Sequence, residues 1–334
     1  FGATAGLETP LWFAPEGLRD DFSWRRSTDF HYVAAECSAV REGVGLTDIS
    51  GFAKYSIYGQ GARDWLDKIL AAKLPPKGRM TLAPMLKEDG KVIGDFSLSN
   101  INDRRFLIIG SGAAESYHMR WLLDHLPDDG SVDLVSLNLE LVGLSLAGPK
   151  SRSVLQACTA HDISHGAMKF MSVREIDIGM VPAIVGRVSF TGDLGYEIWV
   201  KPEYQLNLYD QLMQAGESHG IRLFGSRALN SLRLEKNFST WAREYRPTYG
   251  PLETGLDRFV DYDKEINFIG QEGARSERLS GGKLRLRSFV VSATNADVIG
   301  DEPISHKGEV LADKFEKQIR FEKVNGFSKS FLYE

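Results

Sequence analysis

Two long stretches of this chain follow one order of elements, and that internal duplication restricts the fold more than any single motif does. In the first copy, Phe52 to Tyr58 alternates as a strand, and Trp65, Leu66, Ile69 and Leu70 recur at helical spacing over Ala62 to Leu74, where Pro75-Pro76 ends the run. Met80 to Leu86 and Lys91 to Leu98 then read as a hairpin about Glu88-Asp89-Gly90, and Arg105 to Ile109 leads through Gly110-Ser111-Gly112 into a helix over Ala113 to Leu126. The second copy runs strand Leu139 to Leu146, helix Ser151 to Cys158, a hairpin of Val181 to Phe190 with Leu194 to Val200, and helix Pro202 to Ala215. Gly59 and Gly148 stand 89 residues apart, and Trp121 and Leu208 stand 87 apart. A pseudo-symmetric pair of this kind brings two related hairpins to its middle.

The flanks differ from the repeat. Residues 31 to 42 read as a helix stopped by Gly43 and Gly45. After Gly220 come a short strand, Arg222 to Phe224, and a helix, Ser226 to Lys236. This region is cationic, with Arg227, Arg233, Lys236, Arg243, Arg246 and Arg258 close in sequence, a pattern suited to an anionic ligand tail. From Gly281 onward, Leu284 to Ala293 alternates strongly and short strands follow, as in a small β domain. The expected organisation is therefore α+β: residues 1–140 as the first half, 141–280 as the second half with the basic helix, and 281–334 as a C-terminal β domain.

Composition removes several classes. With 40 basic and 45 acidic residues and a net charge of −5, the chain lacks the positive field that a phosphate backbone demands, so nucleic acid is not an expected partner. No run approaches the ~18 apolar residues of a membrane helix, and the opening segment has no charged start before an apolar stretch. Phe1 in place of Met is expected of a processed chain or one cut from a longer polypeptide. Cys37 and Cys158 have no metal-ligand spacing and read as small core residues of a reducing compartment. Gly59-Gln60-Gly61 follows a strand and opens a helix, yet the third glycine of a dinucleotide fingerprint falls on Asp64, whose carboxylate would repel pyrophosphate. P-loop, zincin and nucleophile-elbow motifs are absent, and the seven histidines are scattered.

Two carboxylates remain. Asp95, in Val92-Ile93-Gly94-Asp95-Phe96, interrupts an apolar strand beside a glycine that lets another group approach. Glu197 lies between Tyr196 and Ile198 at what the repeat presents as the equivalent place in the second hairpin. Either could face solvent. Brought together at a pseudo-symmetric centre, they could instead bind an N-heterocycle, because a carboxylate accepts two parallel N–H bonds from an amino-pyrimidine edge.

Five segments in register, Gly45-Leu46-Thr47-Asp48-Ile49-Ser50, Gly94-Asp95, Phe190 to Ile198, Ser231 to Glu235 and Pro251 to Leu256, resemble the aminomethyltransferase family, the T-proteins of the glycine cleavage system. Leu11-Trp12-Phe13-Ala14-Pro15 and Arg258-Phe259-Val260 are more similar to the folate-binding C-terminal halves of dimethylglycine and sarcosine dehydrogenases. The resemblance implies a three-domain folate-binding fold closed by a small β-barrel, around a tetrahydrofolate cavity. It implies that Asp95 is the key carboxylate, that Glu197 holds the pterin, that Tyr196 and Phe259 flank its ring, that Arg227 and Arg233 serve the folate tail or brace the site, and that Ser111 contributes to folate binding. Arg233 can alternatively pair internally with Glu235 in Arg233-x-Glu235.

The implied chemistry is transfer of a methylene or aminomethyl unit, from a glycine-derived or N-methylglycine-type donor, to N5 of tetrahydrofolate. Partners of the implied kind are a small-molecule donor or lipoyl carrier protein, or a flavin dehydrogenase; cytosol or mitochondrial matrix is the expected compartment. A folate-dependent O- or S-demethylase and a non-catalytic folate-binding module of a flavin amine dehydrogenase are the alternatives. The chain itself has no flavin fingerprint. It departs from the family in carrying Asp193 where Glu is usual, and beyond Val310 in lacking the sequence of the closing barrel strands, so the third domain is expected to be incomplete.

Overall fold

The structure, a computed structural model, describes all residues except 5, 20, 22, 242, 293, 297–303, 308, 313–318, 321–326 and 334; residue 4 and strand residues 291–292, 304–306, 309–312, 319–320 and 327–333 are described by backbone alone. A ribbon of β1 (Gly2–Thr4) and β2 (Leu7–Thr9) precedes α1 (Phe30–Glu42) and β3 (Gly45–Asp48). The first unit then runs β4 (Ala53–Tyr58), α2 (Ala62–Ile69), β5 (Arg79–Leu86), β6 (Val92–Asn102), β7 (Arg105–Gly110), α3 (Glu115–Asp124) and β8 (Asp133–Ser136). The second runs β9 (Val142–Ala147), α4 (Ser151–Ala157), β10 (Val173–Ile178), β11 (Val181–Gly186), β12 (Gly195–Val200), α5 (Gln205–Gly216) and β13 (Arg222–Leu223).

The duplication is visible in both register and topology. β4 and β9, α2 and α4, β6 and β11, and β8 and β13 each start 89 residues apart, whereas β7 and β12, and α3 and α5, start 90 apart. The first sheet has the order β5-β6-β7-β4-β8 and the second β10-β11-β12-β9-β3-β13. They are the same arrangement, except that β3 is inserted into the second between β9 and β13. Strand for strand, the β5–β6 hairpin corresponds to β10–β11. The sequence missed β10, Val-Arg-Glu-Ile-Asp-Ile, because its charged residues mask the alternation. Asp95 and Glu197 are consequently not related by the repeat: an 89-residue offset carries Asp95 to Ile184, and a 90-residue offset carries Leu107 to Glu197. The helices match at 90, not 87, which sets buried His118 against buried Leu208.

α2 is shorter than its apolar run. Leu70 leaves the helix in extended conformation to pair with Met85, and Ala71 N–H donates to Pro84 O at 2.8 Å. The carbonyls thus released at the end of α2 are met by Lys264, whose Nζ donates to the oxygens of Asp67 at 2.5 Å, Leu70 at 2.8 Å and Ala72 at 3.2 Å.

Each sheet buries an outer face under its own helices. Tyr55, Ile57, Phe96, Leu98, Phe106 and Ile108 pack on one side of the first sheet with Trp65 and Leu66 of α2. Leu144, Leu146, Val185, Tyr196 and Ile198 pack with α4 and α5 on the second. Strand alternation sends the intervening residues inward, where Leu107 and Ile109 of β7 meet Trp199 of β12, together with Ile49 and Leu141.

Beyond the repeat come α6 (Ser226–Glu235), α7 (Pro251–Thr254), α8 (Gln271–Ser280) and then β14 (Leu286–Ser292), β15 (Ile304–His306), β16 (Glu309–Ala312), β17 (Ile319–Arg320) and β18 (Phe327–Tyr333). The chain after Val310 is not without strands: β18 pairs antiparallel along the whole of β14, from Leu286↔Tyr333 to Ser292↔Phe327. The described strands form an open three-stranded sheet, β14-β18-β17, and a β15-β16 hairpin, with no closed barrel among the described residues.

Gly59 and Gly148 hold the corresponding strand-to-helix turn in the two units at φ 129° and 121°. A Cβ would stand 2.2 Å from Ser131 O in the first and 2.5 Å from Gly43 O in the second. Gly148→Ala is expected to lose roughly 2–4 kcal/mol through backbone strain and overlap, measured as a lower urea midpoint at unchanged m.

Candidate active site

Asp95 projects from the inner face of β6. Its cross-strand neighbour is Pro84, and Ser97 and Ser99 follow on the same face opposite Ile109 and Leu107. Continuing the β6–β7 register by two residues sets Ser111 beside Asp95, and Ser111 is half-buried there. Behind, the Phe96 ring covers Gly94, where a Cβ would come within 2.5 Å of it, so the group that uses the space over that glycine belongs to the protein itself. His118 closes this side with its ring 4.8 Å from Phe96 and its Nε2 donating to Ile93 O at 2.8 Å. Burial pushes the imidazolium down to about 4, so His118 is neutral packing rather than a proton donor.

The segment after α6 supplies the charges nearest Asp95. Arg233 is fully buried, donating through Nη1 to Glu244 Oε1 and Phe238 O, both at 2.8 Å, while Glu244 Oε2 accepts from Thr240 N–H at 2.9 Å. Arg233 forms an ion pair with Glu244, and Glu235 forms one with Arg41. Buried Tyr245 feels the charges of Asp95, Glu244 and Arg258, and Arg258 in turn lies over the half-buried Phe259 ring at 4.7 Å. Asp95 remains half-buried yet deeply surrounded, as a group facing an internal hollow would be. Burial, reinforced by Glu244 and opposed by its own backbone and by Arg233, raises its pKa to about 8.

Glu197 sits on the inner face of β12 between Gly186 of β11 and Ser145 of β9. Trp199, two residues on, shares that face. Lys54 of β4 reaches across from the first sheet, its Nζ 5.8 Å from the Trp199 ring, and Met80 of β5 packs on Gly186 with Sδ 3.0 Å from where a Cβ would be. Both contacts join the inner faces of the two sheets, so Asp95 and Glu197 project from walls that face each other. Glu197 accepts no hydrogen bond from any described residue, and burial pushes its pKa up to about 7.

Other candidates are placed differently. Tyr196, one residue from Glu197, points to the opposite side of β12; it is wholly buried in the outer core and its hydroxyl accepts from Arg152 Nε at 3.0 Å. Period-two alternation thus removes it from the face where a ring would be flanked. Arg227 forms an ion pair with Asp29 at 2.5 Å. Sequence reasoning missed Glu244, Tyr245 and Lys54; the signal for Glu244 was a carboxylate beside Arg243 and Arg246 within the cationic stretch. A pocket of about 310 Å³ lies elsewhere, between Phe13, Leu46, Gln205 and Tyr209, and includes neither inner-face carboxylate.

Similarity to known proteins agrees with this architecture. The model of the GCVT N-terminal domain family matches residues 1–264. Human mitochondrial dimethylglycine dehydrogenase is 34% identical over 315 residues, covering 93% of this chain and 36% of that protein, so the chain spans about a third of that relative. An aminomethyltransferase from Geobacillus sp. (strain WCH70) is 30% identical over 267 residues, covering 79% of this chain and 72% of the relative. The crystal structure of glycine cleavage system aminomethyltransferase T from Bartonella henselae superposes with a TM-score of 0.81 over 99% of this chain and 85% of that one, at 19% identity, which establishes the shared fold. The chain belongs to the aminomethyltransferase family defined by the GCVT N-terminal domain.

Proposed function

We propose that this chain is an enzyme that transfers a one-carbon unit, methylene or aminomethyl, from a glycine-derived or N-methylglycine-type donor to N5 of tetrahydrofolate, with Asp95 as general base and Glu197 as the pterin anchor. The observation that carries this reading is the pair of desolvated carboxylates on facing sheet walls, one of them with no protein donor. Glu197 fits a pterin: the N–H pair of an amino-pyrimidine edge matches a carboxylate with two unused acceptor oxygens. Tetrahydrofolate, when bound, supplies the secondary amine that captures the activated carbon.

The chain's own groups do the rest. Asp95, on a rigid strand, accepts a proton at Oδ and stabilises adjacent positive charge; a base titrating near 8 is close to the working pH, where proton acceptors are most effective. Arg233, paired with Glu244, fixes the wall behind Asp95. Ser111, beside Asp95 in the β6–β7 register, and Phe259, beneath Arg258, are proposed to line the folate, and Arg227 to meet its tail. The enclosed inner faces limit water, which would otherwise capture the carbon electrophile. Among known relatives, the one named dimethylglycine dehydrogenase favours an N-methylglycine-type donor and a flavin dehydrogenase as partner over a lipoyl carrier. Its mitochondrial designation favours the matrix. No helix among the described residues is long and apolar enough to cross a membrane.

Asp95→Asn is expected to lower kcat by roughly 10²–10⁴-fold while tetrahydrofolate, followed by pterin fluorescence, still binds. In the wild type, kcat at saturating tetrahydrofolate should rise about tenfold per pH unit up to about 8 as Asp95 ionises, and this limb should vanish in the variant. Unchanged turnover would remove Asp95 from the mechanism, and retained binding without any wild-type turnover would make the chain a folate-binding module. Glu197→Gln is expected to weaken tetrahydrofolate roughly 10- to 100-fold, and wild-type affinity should fall as pH drops below about 7, where Glu197 takes up a proton. The same carboxyl that serves catalysis strains the fold. With Asp95 at about 8 when folded and ~3.9 when unfolded, the stability it provides is full below ~4 and is lost as pH rises through 8. Asp95→Asn should therefore melt higher than wild type at pH 9 and alike at pH 4, by calorimetry.

A further inference from the structure

On the outer side of the second sheet, away from the Asp95–Glu197 walls, several strong donors have no acceptor. Arg152 lies in the first turn of α4 and Arg187 follows β11 directly. Arg152 Nε donates to the Tyr196 hydroxyl at 3.0 Å, and Arg187 Nη1 donates to Met168 O at 2.7 Å. Arg152 Nη2 and Arg187 Nε are both buried and have no hydrogen-bond partner among the described residues. Arg187 is only 8% exposed, whereas Arg152 is half-buried and gives the cluster an opening. The Tyr196 oxygen accepts from Arg152 and leaves its own proton undonated among the described residues.

The two guanidiniums also repel one another. Burial and then the Arg152 charge lower the pKa of Arg187, and Tyr196 is the other group that bears on it. No described carboxylate forms an ion pair with either arginine. Two like charges held together in a poorly solvated place, with N–H groups left over, form an environment that an anion relieves. A carboxylate brings one negative charge and two coplanar oxygens. A phosphate group brings ≈ −1.5 to −2 and oxygens in several directions, matching two cations and three donors carried by separate elements.

We propose that Arg152, Arg187 and Tyr196 form a binding site for a phosphate group, separate from the folate site because Tyr196 and Glu197 lie on opposite faces of β12. The burial of Tyr196 beneath the sheet, which excludes it from flanking a pterin, is what this second site requires of it.

Calorimetric titration of the full chain with inorganic phosphate, at ionic strength held constant with chloride, tests the assignment. Saturable binding is expected with Kd at or below about 1 mM, together with a melting temperature that climbs with phosphate. Arg152→Gln, at a half-buried position, should raise Kd at least about tenfold and leave pterin fluorescence titrations unchanged. Tyr196→Phe, which keeps the packing and deletes one donor, should raise it about threefold. Acetate should bind at least about tenfold more weakly than phosphate. Absence of phosphate binding up to about 10 mM, equal affinity in Arg152→Gln, or equal affinity for acetate would each overturn the proposal.

Discussion

The contact on which the candidate site depends is the meeting of two sheet faces through Trp199. Its ring packs with Leu107 and Ile109 from the opposite sheet and lies beneath Lys54, an ammonium only 1% exposed whose Nζ donates to Ser50 O at 2.6 Å. That wedge is apolar where Trp199, Ile49 and Leu141 fill it, and becomes polar towards Ser97, Asp95 and Glu197. Desolvation acts along the whole interface and pushes ionisable groups towards their neutral forms: Lys54 falls to about 8, while Asp95 climbs to about 8 and Glu197 to about 7. One dry interface between duplicated sheets thus moves an amine and two carboxylates into the range where proton transfer near neutrality is possible.

Duplication supplied the walls, and divergence supplied the chemistry. Where one unit carries an inner-face carboxylate, the other carries an apolar side chain: Asp95 corresponds to Ile184 and Glu197 to Leu107. Ile184 and Leu107 belong to the inter-sheet apolar cluster or its border. The insertion of β3 beside β9 breaks the symmetry further, and Thr47 of β3 faces Ser145, which in turn neighbours Glu197. A strictly symmetric pair would have had either two buried carboxylates of one kind or none.

How much of this was legible follows from the distance over which each feature is encoded. The strand-to-helix turns at Gly59 and Gly148, the hairpin at Gly90 and the ends of α1 and α6 are local, and the sequence marks them. Asp95 and Glu197 stood out because a carboxylate in an apolar strand is a local anomaly. The Tyr196 placement was equally available from alternation with Glu197, but the resemblance outweighed it. What could not be read is long-range: Leu70 abandoning α2 for Met85, Arg233 pairing with Glu244, and β18 returning to pair with β14. Each is decided by which segments meet, and no periodicity within a window reports that.

The Arg233–Glu244 pair explains why Asp95 keeps its high pKa beside an arginine. A guanidinium this close would ordinarily hold a carboxyl ionised, and Arg233 does oppose the upward shift. Its charge is matched by Glu244, buried to the same degree and fixed by Thr240 N–H, and Glu244 acts on Asp95 in the opposite sense. The two fixed charges act in opposite senses, and burial is the largest influence on the titration. The region after α6 thus closes the wall behind Asp95 with a paired, net-neutral group rather than with an isolated charge.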